Sequence, residues 1–101
     1  MEITTSNGFK CNINENRLKD WRYVKASAKM AKAAKADDEI ELIDLLDYLI
    51  TFLMGEENKN AFLESLAGDE GVCESHVVVE EFQKITNALS EQLKKSTSSP
   101  G

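Results

Sequence analysis

Histidine, proline and tryptophan each occur once in this chain, and cysteine twice. Two cysteines, Cys11 and Cys73, are too few for a disulfide framework. One bridge between them is geometrically possible, but free thiols in a reducing compartment are the expectation. The chain has no Ser-His-Asp order, P-loop or glycine-rich phosphate cradle, which removes the familiar signatures of nucleophilic and nucleotide chemistry. One proline and five glycines leave little room for long loops. The most apolar stretch, residues 40–54, is interrupted by Asp44 and Asp47 and is too short and too charged to span a bilayer. The first 13 residues show no basic start followed by an apolar run, so no export signal is read there. These absences lead to the expectation of a cytoplasmic, non-enzymatic protein without cofactor or metal.

What is present is enough for one small domain. The chain has 101 residues, 42% of them hydrophobic, which suits a single modest core. The net charge of −6 is unevenly spread. Residues 15–36 carry seven positive and two negative side chains, whereas residues 37–81 carry one positive and fourteen negative. Such asymmetry implies either that the two segments pair internally or that they form two surfaces of opposite sign.

Alternation of Ile3, Thr5, Phe9, Cys11 and Ile13 about Asn7-Gly8 predicts a β-hairpin with a type I′ turn, in which both turn residues take positive φ. Asn12 and Asn14 are candidate helix N-caps, with Glu15 placed for a capping box after Asn12. A first helix is expected over about 15–34, its buried face traced by Leu18, Trp21, Val24 or Lys25, and Ala28. Its alanine- and lysine-rich second half favours helix but has little side chain to bury. Trp21 is the expected core anchor between the hairpin and the 40–54 helix, together with Phe82 and Ile85 further on. On that reading Trp21→Ala costs about 3–5 kcal/mol.

Asp37 and Asp38 mark the start of the next helix, apolar nearly all round, and Gly55 its end. Residues 58–66 support a short helix through Ala61, Phe62 and Leu66, closed by Gly68-Asp69-Glu70-Gly71. Ser75 opens a last helix with Val78, Phe82, Ile85, Leu89 and Leu93 on one face. The β-branched run Val77-Val78-Val79 could form a strand, but the helical period continues for sixteen residues from Val78. Residues 96–101 hold nothing to bury and are expected to be a disordered tail. The expected fold is mainly α: one domain over residues 1–95, about four helices with a short N-terminal hairpin.

Candidate chemistry is sparse. Cys73-x-x-His76 is half of a zinc site at most, and the remaining cysteine, Cys11, lies in the hairpin. The acidic residues Asp37, Asp38, Glu39, Glu41, Asp44 and Asp47 lack the glycine and ligand spacing of a calcium loop and read as a solvated helical face. Arg22, Lys25, Lys29, Lys32 and Lys35 recur at helical spacing and form a basic stripe about 20 Å long. That stripe supports an alternative function, a small DNA-binding regulator with a helix-turn-helix in the final helices. The strongly acidic next segment opposes it.

Four stretches together resemble the small tail assembly chaperones of long-tailed bacteriophages and prophages. They are Gly8-Phe9-Lys10-Cys11-Asn12-Ile13-Asn14-Glu15, Leu18-Lys19-Asp20-Trp21-Arg22-Tyr23-Val24, Leu53-Met54-Gly55, and Lys94-Lys95-Ser96-Thr97-Ser98-Ser99-Pro100. The resemblance implies a small helical protein made before tail assembly and absent from the finished virion. It implies two partners, a tape measure protein that it keeps soluble and tail tube protein subunits that it helps recruit. It also implies ribosomal frameshifting near the end of the short form, for which Lys94-Lys95 codons could supply the slippery run. The lysine- and alanine-rich stretch over residues 26–36 departs from the family's fuller helical pattern and leaves the partner surface open. Leu45, Leu49, Phe52 and Leu53 are the candidate partner-binding residues, with core burial as their other reading and self-association as a third possibility.

Overall fold

The computed structural model describes residues 1–97, with side-chain surroundings through Lys95. The chain folds as four α-helices with a short two-stranded antiparallel hairpin at its N-terminus. Among the described residues, no helix is long and apolar enough to cross a membrane.

Strands β1 (Glu2–Thr4) and β2 (Lys10–Asn12) pair with Ile3 opposite Cys11. The turn is not type I′. Gly8 N–H donates to Thr5 O at 3.0 Å and Thr5 N–H to Phe9 O at 2.9 Å, enclosing Ser6-Asn7-Gly8. Only Gly8 has positive φ there. This is the three-residue loop with a glycine bulge, and its odd length follows from the alternation. Residues directly opposite in a sheet share a face, so Ile3 must face Cys11, not Asn12, for both to be buried. Ile3, Thr5, Cys11 and Ile13 are all buried as a result.

The helix expected over 15–34 is broken. Asn14 caps a 3-10 helix, Glu15–Lys19, by accepting from Asn16 N–H, while Asn12 lies in β2. Asp20 then takes an extended conformation and caps α1 (Trp21–Lys35) through Arg22 N–H. The break resets the helical phase, so Leu18 does not share a stripe with Trp21. The inward face of α1 is Tyr23, Ala26, Met30 and Ala33. Trp21, Val24, Lys25 and Ala28 point outward, and Trp21 is 72% exposed. It is therefore not a core anchor, and it does not pack between the hairpin and the following helix.

The end of α1 is a Schellman motif with aspartate where glycine is usual. Asp38 N–H donates to Ala33 O and Asp37 N–H to Ala34 O, with Asp37 at φ +58°. Asp38 also caps α2 (Glu39–Met54) by accepting from Glu41 N–H. Gly55 alone joins α2 to α3 (Glu56–Leu66), at φ +87° and ψ 161°, a region open essentially to glycine only. Within α3, Phe62 and Leu66 are buried and Ala61 is exposed.

Helix α4 (Ser75–Thr97) includes the valine run and buries Val78, Phe82, Ile85 and Leu89 at alternating spacings of four and three. It extends through Ser96 and Thr97, where an unstructured tail was expected to begin; residues 98–101 lie outside the described residues. Its apolar face meets the hairpin, the second half of α2 and α3 in one core, with Phe62 and Leu89 fully enclosed. Phe9 packs on Phe62 with ring centres 5.8 Å apart. The hairpin turn is latched down by side chains. Ser6 N–H and Oγ donate to the two oxygens of buried Glu81, at 2.9 and 3.1 Å, and Asn7 Nδ2 donates to Ser65 O.

The α1–α2 pair extends beyond this core. No residue between Met30 and Leu45 joins the main apolar cluster, although Ala33 is buried. The molecule is accordingly elongated, 51 × 34 × 19 Å.

Candidate partner-binding groove

Trp21, Val24, Ile40, Ile43 and Tyr48 are exposed on the α1–α2 arm, while Met1, Val72 and Val79 are exposed elsewhere. Trp21 opens α1 immediately after the Asp20 cap, so the cap decides where the indole stands. Asp20 accepts from Arg22 Nε and Nη2, both at 3.0 Å, as well as from Arg22 N–H. These bonds hold its carboxyl at a pKa of about 2. They also aim the guanidinium across to α2, where its carbon lies 5.0 Å from the Phe52 ring centre. Arg17 reaches the same ring at 5.4 Å and donates to Phe52 O at 2.8 Å. Tyr48 stacks on Phe52 with rings 6.3 Å apart and nearly parallel.

Beside this cluster, between α1 and α2, runs a groove of about 330 Å³. Ala26 and Leu45 form its floor, Trp21 and Tyr48 its aromatic walls, and Arg22, Lys25 and Lys29 its cationic rim. Trp21 is 72% and Tyr48 44% exposed, so both rings have area left to bury. None of the lining residues is His, Cys, Asp or Glu. The surface suits the capture of an apolar segment with negative charge beside it.

The candidate residues separate on this frame. Leu45 and Phe52 are half-buried; Leu45 lines the groove and Phe52 lies beside it. Leu49 and Leu53 are buried in the core, so they take the core reading and have almost no area left for a partner. Phe82 and Ile85 are buried on α4. Tyr48 and the outward-facing Ile40 and Ile43 are the residues that periodicity alone did not single out. The signal was available in their neighbours, since Ile40 and Ile43 are interleaved with Asp38, Glu39, Glu41 and Asp44.

Other sequence candidates do not converge. His76 is exposed and pairs with Glu74 at 3.4 Å. Cys73 is half-buried beside Leu63 and Val78, and Cys11 is buried in the hairpin; burial raises the pKa of both thiols. Among the described residues no group of three His, Cys, Asp or Glu side chains stands close enough to hold a metal ion. Lys59 is the one cation in the acidic segment, and it is buried. It bonds Asp47 at 3.1 Å and Glu56 at 3.4 Å, and the Asp47 hydrogen bond raises its pKa. Lys25, Lys29, Lys32 and Lys35 are exposed and make no ion pair among the described residues, so the basic and acidic segments are two surfaces and not one neutralised pair.

Comparison with known proteins found no match among protein families, curated proteins or solved structures.

Proposed function

We propose that this chain is a non-catalytic protein-binding factor acting in the bacterial cytoplasm, a phage tail assembly chaperone that binds the tape measure protein and helps recruit tail tube subunits. The observation that carries the binding role is the uncovered aromatic groove of the α1–α2 arm, with Trp21 at its mouth. Monomeric domains seldom leave a tryptophan, a tyrosine and two isoleucines exposed along one helical pair without a partner for them. The assignment to tail assembly rests on the resemblance of the four sequence stretches.

Co-expression with the tape measure protein of the same genome tests the reading. The wild-type chain keeps that partner soluble and co-purifies with it, and Trp21→Glu or Tyr48→Glu abolishes both effects while leaving a folded chain. A tape measure protein that precipitates equally with and without the wild-type chain overturns the proposal. The frameshifted longer form belongs to the same reading, and a gene lacking a slippery run at Lys94-Lys95 removes it.

The exposed, unpaired lysines of α1 favour a second reading, binding to nucleic acid. The helix-turn-helix version fits poorly, because eight residues separate α3 from α4 where that motif uses a turn of about three or four. A gel shift on nonspecific DNA that disappears with added salt and with Lys25→Ala/Lys29→Ala would favour this reading.

A further inference from the structure

The arm carries two patches that match each other. One is the groove, aromatic and apolar inside with Arg22, Lys25 and Lys29 on its rim. The other is the first half of α2, where Ile40 is 78% exposed, and Ile43, 56% exposed, stands one turn on beside Leu63, Cys73 and Val78. Around those isoleucines stand Asp37, Asp38, Glu39, Glu41 and Asp44, all exposed and none in an ion pair among the described residues. Neither patch satisfies the other within one molecule.

We propose that the chain pairs with a second copy of itself, the acidic Ile40–Ile43 stretch of each copy seating in the aromatic groove of the other. Both requirements of the groove are met by this one segment, apolar side chains for Trp21 and Tyr48 and carboxylates for Lys25 and Lys29. The patches lie on one helix pair, so a two-fold arrangement uses each twice and closes. Ile40 and Tyr48 are eight residues apart on α2, about 12 Å along its axis. Two α2 helices crossing antiparallel therefore bring each Ile40 to the other copy's Tyr48. The carboxylate–lysine contacts lie at the rim, where water and salt reach them, so the pairing weakens as ionic strength rises.

Sedimentation of the purified full chain across a concentration series is the test, and it needs no other protein. Dimer and tape measure protein would compete for the one groove, and a chain that stays monomeric leaves the capture of a tape measure protein untouched. The wild-type chain dimerises at low salt and dissociates as salt is added. Lys25→Glu/Lys29→Glu and Glu41→Lys/Asp44→Lys each place like charges across the contact, and each alone weakens dimerisation at least tenfold. Mixed in equal amounts, the two variants form a heterodimer, because every swapped charge then meets its opposite. All four positions are exposed, and circular dichroism checks that each variant is folded; Trp21→Ser serves as a second groove variant and also weakens the dimer. A wild-type chain that stays monomeric at low salt, charge variants that dimerise like wild type, or folded variants that fail to pair on mixing overturns the proposal.

Discussion

The two ends of this molecule are built on different terms. At one end the hairpin, the second half of α2, α3 and α4 enclose Phe62, Leu49, Ile13 and Leu89 almost completely. Along the other, α1 meets α2 through small residues such as Ala26 and Ala33, and the pair keeps Trp21, Val24, Ile40, Ile43 and Tyr48 in contact with water. The first arrangement maximises buried area per residue and fixes one packing. The second gives up burial and leaves apolar area in water, the area that the proposed association would cover. The comparison teaches that the most apolar side chains of a small protein need not share one core. The largest of them, Trp21, stands on the surface.

Mutations sharpen the contrast. The largest loss is expected for Phe62→Ala, which empties the centre of the core and abandons the contact with Phe9. About 3–5 kcal/mol is a large share of the 5–15 kcal/mol available to a domain of this kind, and chemical denaturation measures it. Gly55→Ala comes next, at about 1–3 kcal/mol, because the single residue between α2 and α3 sits at φ +87°. Nothing lies within 4 Å of a side chain there, so the cost is backbone strain alone.

The Glu81 latch is third. Burial by itself raises the pKa of this carboxyl, but hydrogen bonds from Lys84 and from Ser6 N–H and Oγ outweigh it and leave the pKa below the usual 4.5. A group depressed on folding stabilises the fold above its unfolded pKa, and that stability is lost as pH falls through the folded value. Stability should therefore decline below about pH 4.5, and Glu81→Gln should flatten that slope and cost about 1–3 kcal/mol at neutral pH. Asp20, held at about 2, adds a further acid loss in the same direction. The smallest effect is expected on the arm. Trp21→Ala changes stability by no more than about 0.5 kcal/mol while weakening partner binding and self-association. A loss of several kcal/mol in that variant would erase the distinction between the two ends.

Much of the scaffold was legible in the sequence. Leucine and isoleucine density marked α2, the four–three spacing from Val78 marked α4, and Gly55 marked the end of α2, although α3 starts two residues earlier than expected, at Glu56. The groove was not legible, for one local reason. Asp20 can be read as an ordinary polar residue inside a helix or as the cap of a new one, and the sequence around it suits both. Reading it as interior carries the phase of Leu18 forward and buries Trp21; reading it as a cap turns Trp21 outward. The hairpin loop shows the opposite case, since the alternation itself demanded an odd loop and overruled the Asn-Gly preference. Leu49 and Leu53 could not be separated from Leu45 by periodicity on a helix apolar nearly all round. Only the placement of α1 and the core decides which of them face inward.

Because the chain has a single tryptophan, its fluorescence tests the central claim without labels. In the Lys25→Glu/Lys29→Glu variant, which should remain monomeric, Trp21 should emit like a hydrated indole and be quenched freely by acrylamide. In the wild-type chain the emission should shift to shorter wavelength, and quenching should weaken, as concentration rises. Blue emission shielded from acrylamide in the folded variant, even at the lowest concentration, would put Trp21 back in the core and contradict the account.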